Sequence, residues 1–357
     1  MPAVPTSPAP AARSADTAPA AGTVPAGTAP APLLSVRGLE VQFPTRRRTL
    51  TALQDVSFDV MPGEILGVVG ESGAGKSMTG NAIIGLLEPP GRVTRGEVRF
   101  LGQDLTRLEP GALRRIRGRD IGAIFQDPLT SLNPLYKIGD MLVETLQTHL
   151  DVSAGEAQWR AIAMLNEVGI PAAHERFHHY PHQFSGGMRQ RVVIALALCT
   201  EPRLVIADEP TTALDVSVQA QIINLLKRLC RERGTAVVLV THDMGVIAET
   251  ADRVCVMYAG RIVEIGPVRR VIRQPLHPYT RGLMAAIPHV GGEVSALAQI
   301  EGSMPRLDAI PPGCAFNPRC PQRFAPCTGA VPELLQAEPS HSAACFLYGE
   351  PQRGGRP

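Results

Sequence analysis

The run Gly70-Glu71-Ser72-Gly73-Ala74-Gly75-Lys76-Ser77 constrains this chain more than any other eight residues in it. It fits GxxxxGK[ST], in which the glycines let successive backbone N–H groups turn inward onto phosphate oxygens. Lys76 adds a positive charge for the β- and γ-phosphates, and the Ser77 hydroxyl is placed to ligate Mg²⁺. From average composition such a pattern arises by chance in a chain this long with a probability of roughly one per cent. Its setting is the required one. Ile65–Val69 is a short apolar run ahead of the loop, and a helical pattern runs from Lys76 to Leu87 behind it. Strand, glycine-rich loop and helix in that order make an α/β unit.

A second half of a nucleotide site stands at Leu204-Val205-Ile206-Ala207-Asp208-Glu209, an apolar strand ending in two carboxylates. Asp208 would hold Mg²⁺ through its water shell, and Glu209 would orient or polarise an attacking water. Leu204–Ala207 and Val237–Val240 are apolar on both faces, which suits a parallel sheet covered by helices. Leu39–Phe43 and Asp55–Val60 read as strands, followed by a turn at Met61-Pro62-Gly63-Glu64. Between the two halves the character over about 127–186 is helical, and we expect a helical subdomain inserted into the α/β core. Ser185-Gly186-Gly187-Met188-Arg189-Gln190 opens a helix to about Cys199. Ser185 is a good N-cap, and two glycines admit an anion to the positive helix end. Taken alone, the segment is equally a plain capped helix.

Composition closes several doors. With 44% hydrophobic but only 4% aromatic residues, the core must be aliphatic. Lys+Arg 35 against Asp+Glu 33 leaves +2, which speaks against both a dedicated nucleic-acid binder and an acidic solvating protein. Arg46–Arg48 and the arginines of 114–119 are therefore expected on solvated faces. No apolar run approaches the length of about eighteen residues that a membrane span needs. The start lacks a basic flank followed by an apolar run, so no secretory leader is expected. Seven cysteines then point to a reducing cytoplasm rather than a disulfide framework. Residues 1–32 contain 11 Ala and 8 Pro and are expected to form a disordered tail.

Cys199, Cys230 and Cys255 fall in apolar contexts and are expected to be buried small hydrophobes. His178, His179 and His182 have no Cys or acidic partner at ligand spacing, so they are expected in a surface turn. From about Val271 the chain turns Pro- and Gly-rich, and 271–357 reads as a separate C-terminal extension. Cys314, Cys320, Cys327 and Cys345 lie in it, with intervals of five, six and seventeen residues. Zinc sites usually show closer Cys pairs. Four thiolates on a loop-rich segment can hold a four-iron, four-sulfur cluster, with zinc and free thiols as the alternatives.

The order phosphate loop, Phe125-Gln126, Ser185-Gly186-Gly187-Met188-Arg189-Gln190, Asp208-Glu209, Ala213-Leu214-Asp215 and Thr241-His242-Asp243 resembles the ATPase subunit of ATP-binding cassette (ABC) transporters. The resemblance covers about 33–288 and implies the P-loop ABC ATPase fold, with a core over 33–270, and ATP and Mg²⁺ as ligands. It implies that Gly70, Ser72, Gly73, Gly75, Lys76, Ser77 and Met78 surround the phosphates and that Phe43 stacks on adenine. Gln126 would contact Mg²⁺ and the attacking water, beside Ser77 and Asp208 as metal contacts. Glu209 and His242 would act at the γ-phosphate. Ser185, Gly186 and Gly187 would bind the ATP of an opposite subunit, with Asp215 at the dimer seam.

Three further segments narrow the likeness to oligopeptide/dipeptide importer ATPases. They are Phe125–Pro134, His277-Pro278-Tyr279-Thr280-Arg281 and Gly313–Cys320. This subfamily also includes nickel and glutathione importers, and some of its members carry a 4Fe-4S cluster in the extension. The partners implied are a second ATPase, identical or related, two transmembrane permease subunits and, indirectly, an extracytoplasmic peptide-binding protein, but no nucleic acid. The implied location is peripheral, on the cytoplasmic face of the cell membrane. The rivals are a soluble ABC ATPase acting in DNA repair or on ribosomes, and a P-loop kinase. The chain lacks the long coiled coil or second core of the former, and Glu209 with the intact 185–190 motif argues against the latter.

Overall fold

The computed structural model describes residues 31–211, 214–286 and 299–349; nearly all of the Ala/Pro-rich tail, and the Thr212-Ala213 pair of the expected seam loop, lie outside them. In chain order the strands and helices begin with β1 (Leu34–Pro44), β2 (Thr49–Val60), β3 (Ile65–Val69) and α1 (Lys76–Ile83). Next come β4 (Arg92–Phe100), β5 (Gln103–Asp104), α2 (Pro110–Ile116) and β6 (Ile121–Ile124). Five helices follow: α3 (Pro128–Ser131), α4 (Ile138–His149), α5 (Ala154–Glu167), α6 (Ala173–Arg176) and α7 (Gly186–Leu198). The chain then returns to strands with β7 (Leu204–Asp208), α8 (Val216–Arg233), β8 (Ala236–Val240), α9 (Met244–Thr250), β9 (Arg253–Tyr258) and β10 (Arg261–Pro267). It ends with α10 (Val268–Arg273), α11 (Pro278–Ala285), α12 (Pro326–Gly329), β11 (Leu335–Glu338) and β12 (His341–Ala343).

Strands β9, β3, β8, β7 and β6 lie side by side and parallel. Alternation along each sends side chains to two different cores. Ile65, Val69, Val205, Ala207, Val237 and Leu239 belong to the core that also holds side chains of α4, α5, α7, α8 and α9. Leu66, Val68, Leu204, Ile206, Val238 and Val240 face α1 and the antiparallel sheet β2-β1-β4-β5. The helix after the phosphate loop is thus held between two sheets, which fixes the loop at its start. It stops at Ile83, earlier than the expected Leu87, because Gly85 turns into the left-handed region at φ 65°.

The segment after 270 does not stand apart as the sequence reading expects. β12 pairs with β10 and β11 with β12, so the C-terminal residues extend the core sheet at its β9-β10 edge. Glu264 on β10 locks the join. It is fully buried, accepts from the backbone N–H of Leu276 and His277 at 2.9 and 2.8 Å, and lies 2.7 Å from His341 Nε2. Burial holds the neighbouring His277 imidazole down at about 4, so it stays neutral and its Nδ1 caps α11 by accepting from Tyr279 N.

Candidate active site

The phosphate loop depends on glycine at positions where the backbone leaves no choice. Gly70, Gly73 and Gly75 have φ of 153°, 82° and 104°. A Cβ on Gly70 would strike the Met257 carbonyl, and one on Gly75 would come within 2.8 Å of Leu53. Lys76 is buried, and its Nζ donates to the carbonyls of Gly70 at 2.9 Å and Glu71 at 3.1 Å. Burial lowers its pKa, while Glu209 and Asp208 pull the other way. The Ser77 hydroxyl donates to Asp208 Oδ1 at 2.9 Å, joining the start of α1 to the end of β7. Burial raises the Asp208 pKa, and the Ser77 bond only partly offsets it. A half-buried carboxylate of this kind, with a hydroxyl beside it, is suited to a hard cation.

Glu209, one residue on, has φ 44°, an uncommon conformation for a residue with a side chain. Its N–H donates to the Val240 carbonyl at 2.8 Å. Gln126 Nε2 donates to one carboxylate oxygen at 3.0 Å, and His242 Nδ1 lies 3.3 Å from the other. Three residues from the ends of the neighbouring strands β6, β7 and β8 therefore meet on one carboxylate, at the strand edge where open parallel sheets bind ligands. Backbone strain at an acid that two polar side chains hold in place is a mark of a working site.

Ser185, Gly186 and Asp215 do not join this group. Ser185 caps α7 by accepting from Met188 N at 3.4 Å, and a Cβ on Gly187 would lie 2.8 Å from Val218 on α8. Ser185, Gly186 and Asp215 are exposed, and Val216 beside Asp215 is 81% exposed. Ser72 is exposed as well, while Met78, on α1, is half-buried against the core. Phe43 is half-buried with its ring against Gly91, where any Cβ would collide with it.

The four C-terminal cysteines, scattered in sequence, line a single small cavity with His277, Phe316, Asn317 and Phe324. Cys314 is pushed up to about 11, first by burial and then by the other three sulfurs. Among the described residues no three His, Cys, Asp or Glu side chains form a group that could hold a metal ion, so the thiols surround a space rather than meet at a point. Cys199, Cys230 and Cys255 are buried, each pushed up to about 12.

Tyr279 and Arg319 are residues that the sequence reading names inside motifs but gives no role. Both reach Glu71 in the phosphate loop. Nothing in one sequence signals a pairing across 248 positions.

An apolar groove beside Gln126 is lined by Leu86, Ile121, Phe125, Val193 and Leu196, and Leu135 nearby in sequence is 82% exposed.

The profile of the ABC transporter family matches residues 53–212, and that of the oligopeptide/dipeptide transporter C-terminal region matches 263–327. The dipeptide transport ATP-binding protein DppD of Bacillus subtilis is 49% identical over 319 residues, 89% of this chain and 95% of DppD. The oligopeptide transport ATP-binding protein OppD of Escherichia coli is 48% identical over 314 residues, 88% and 93% of the two chains. Among solved structures, the dimeric post-hydrolysis ATP-binding cassette MJ0796, bound to ADP and Pi, superposes with a TM-score of 0.60 at 31% identity. That match covers 66% of this chain and 99% of MJ0796.

Proposed function

The chain belongs to the ATP-binding subunits of the oligopeptide/dipeptide ABC transporters, and from that premise we propose that it hydrolyses ATP to power uptake of dipeptides and oligopeptides. The observation that carries the reading is the meeting of Gln126 and His242 on Glu209, beside Lys76, Ser77 and Asp208. Lys76 exchanges the Gly70 and Glu71 carbonyls for the β- and γ-phosphates, and the loop amides cradle them. Ser77, Asp208 and Gln126 would hold Mg²⁺, which when bound neutralises charge on the transferring phosphoryl group. Glu209 orients the attacking water and polarises it through Oε, and His242 faces the γ-phosphate. Phe43 receives the adenine. Catalysis here is positioning plus charge stabilisation.

The exposed start of α7, with Ser185, Gly186 and Gly187, serves the ATP of a second ATPase subunit, and Asp215 lies at the seam between them. The second subunit is a copy or a relative of this chain. Helices of the 127–186 segment act as the inserted subdomain, and the groove beside Gln126 receives a cytoplasmic segment of the permease pair. A peptide-binding protein outside the membrane delivers the cargo, which never meets this chain. Among the described residues no helix is long and apolar enough to cross a membrane. As the ATPase of such an importer, the chain works peripherally, on the cytoplasmic face of the membrane.

For Cys314, Cys320, Cys327 and Cys345, which line one cavity without meeting at a point, we propose that a 4Fe-4S cluster would be held once the four thiolates draw together, with zinc and free thiols as the alternatives. When bound, such a cluster supplies a redox couple whose potential depends on its surroundings.

The test is to extract a tagged chain from membranes. Two hydrophobic permease subunits should co-purify, and peptide-loaded binding protein should raise the ATPase rate of the complex. Recovery free of membrane proteins, on ribosomes or DNA, would favour the soluble ATPase instead.

A further inference from the structure

Glu71 is the second residue of the phosphate loop, and the C-terminal segment holds it at two points. Its backbone N–H donates to the Tyr279 hydroxyl at 2.8 Å. Its carboxylate accepts a two-pronged contact from Arg319, Nη1 to Oε2 at 2.9 Å and Nη2 to Oε1 at 3.2 Å. The Arg319 side chain is 8% exposed. The guanidinium is itself fixed, donating from Nε to the Glu301 carbonyl at 2.8 Å and from Nη2 to that of Ile300 at 3.2 Å. It also stands 5.9 Å from the ring centres of both Tyr258 and Phe316. A planar fork held this way has one orientation to offer, and that orientation meets Glu71.

The loop has reason to need it. A loop that binds polyphosphate through backbone N–H groups is weakened by a nearby free carboxylate, because like charges repel in a partly buried site. Arg319 cancels that charge. The bond to the buried Tyr279 fixes the direction of the Glu71 amide, while the Glu71 carbonyl accepts from Lys76 Nζ at 3.1 Å. The N–H and the carboxylate of Glu71 are thus both tied to the C-terminal segment, and these two ties persist when Lys76 turns to the phosphates, which fixes the entry to the loop. Cys320 follows Arg319 directly and Phe316 precedes it by three positions, so the packing of the cysteine cavity aims the guanidinium.

We propose that Arg319 and Tyr279 are positioning residues for the phosphate loop, through which the C-terminal segment sets the affinity for MgATP. The proposal rests on the reading of Gly70–Ser77 as the nucleotide site. MgATP binding to the full chain, followed with a fluorescent ATP analogue alongside thermal melts, tests it. Arg319→Gln should weaken binding about tenfold, since it strands a carboxylate beside the phosphates. Adding Glu71→Gln to that variant should bring affinity back to within about threefold of wild type, because no stranded charge remains. Tyr279→Phe keeps the ring packing and should weaken binding about threefold, the worth of one hydrogen bond. A tether with no effect on the loop would lower the melting temperature of Arg319→Gln and leave affinity unchanged, which overturns the proposal. Weakening that Glu71→Gln does not relieve overturns it as well. Should Arg319→Gln fail to fold, unchanged affinity in Tyr279→Phe decides against it. Wild-type chain that binds no MgATP would overturn the nucleotide-site reading first.

Discussion

In the nucleotide site every chemical group stands at the end of a parallel strand: Gln126 after β6, Asp208 and Glu209 at β7, His242 after β8, and Lys76 beyond the loop that follows β3. In the C-terminal cavity Cys314, Cys320 and Cys345 sit on loops, Cys327 lies on the short helix α12, and none is on a parallel strand. The first site is therefore carried by a sheet whose two faces are buried whatever the site residues are. The second is carried by loops packed against the edge of that sheet, with less regular structure of their own. Substitutions should accordingly cost chemistry in one region and order in the other.

The largest effect is expected at Glu209. Glu209→Gln keeps the shape and leaves β7 untouched, but the amide cannot polarise water as a carboxylate does. Hydrolysis by the assembled importer should fall by roughly a hundred- to ten-thousandfold while MgATP binding and melting temperature hold, and the ATP-bound dimer should accumulate. Near-normal turnover would remove Glu209 from catalysis. A large loss of stability would break the contrast between the two regions.

Cys320→Ser probes the other side. Anaerobically purified wild-type chain should be brown, with broad absorption near 400 nm expected of iron–sulfur clusters, and the variant should be colourless. Its melting temperature should drop by several degrees, since the loops lose what they wrap. Colourless wild-type protein with four titratable thiols would sink the cluster, and an unchanged melting temperature would sink the idea that the cavity's contents order the segment.

The same contrast explains how much the sequence discloses. Around the phosphate loop each cue is local: an apolar strand, glycines with forced φ, a lysine and a serine in register. β7 and β8 are apolar on both faces and stand out for that reason. β6 does not, because it is only four residues and includes Gly122, whose missing side chain clears the Ala197 carbonyl. β4 is half-exposed and carries three arginines and a glutamate, so no apolar period marks it. The joining of β12 to β10 and the reach of Arg319 to Glu71 are pairings between distant positions, which no local period encodes. Site residues were legible one at a time. That Gln126 and His242 hold the two oxygens of Glu209 emerges only from the fold.

The smallest expected effect has the most counter-intuitive sign. Burial raises the Asp208 pKa above its ordinary value, so in the absence of metal the ionised carboxylate is held at a cost. Between the ordinary carboxylate pKa and the raised one, the folded chain binds more protons than the unfolded chain. Stability from this group is therefore fully present below that window and is lost as pH rises through it. Asp208→Asn removes the buried charge and can still accept the Ser77 hydrogen bond. It also removes an attraction to Lys76, which limits the gain. At pH 7 and without metal, the variant should melt about 1–3 °C above wild type. The difference should shrink as pH falls through the raised pKa, where wild-type Asp208 takes up its proton. With Mg²⁺ and ATP added the order should reverse, because only the carboxylate gains from the cation. A metal-free variant that melts below wild type at pH 7 would mean that the attraction to Lys76 outweighs the burial of Asp208. The nucleotide site would then hold its charges at no cost to the fold, and the separation of chemistry from stability would fail on its own ground.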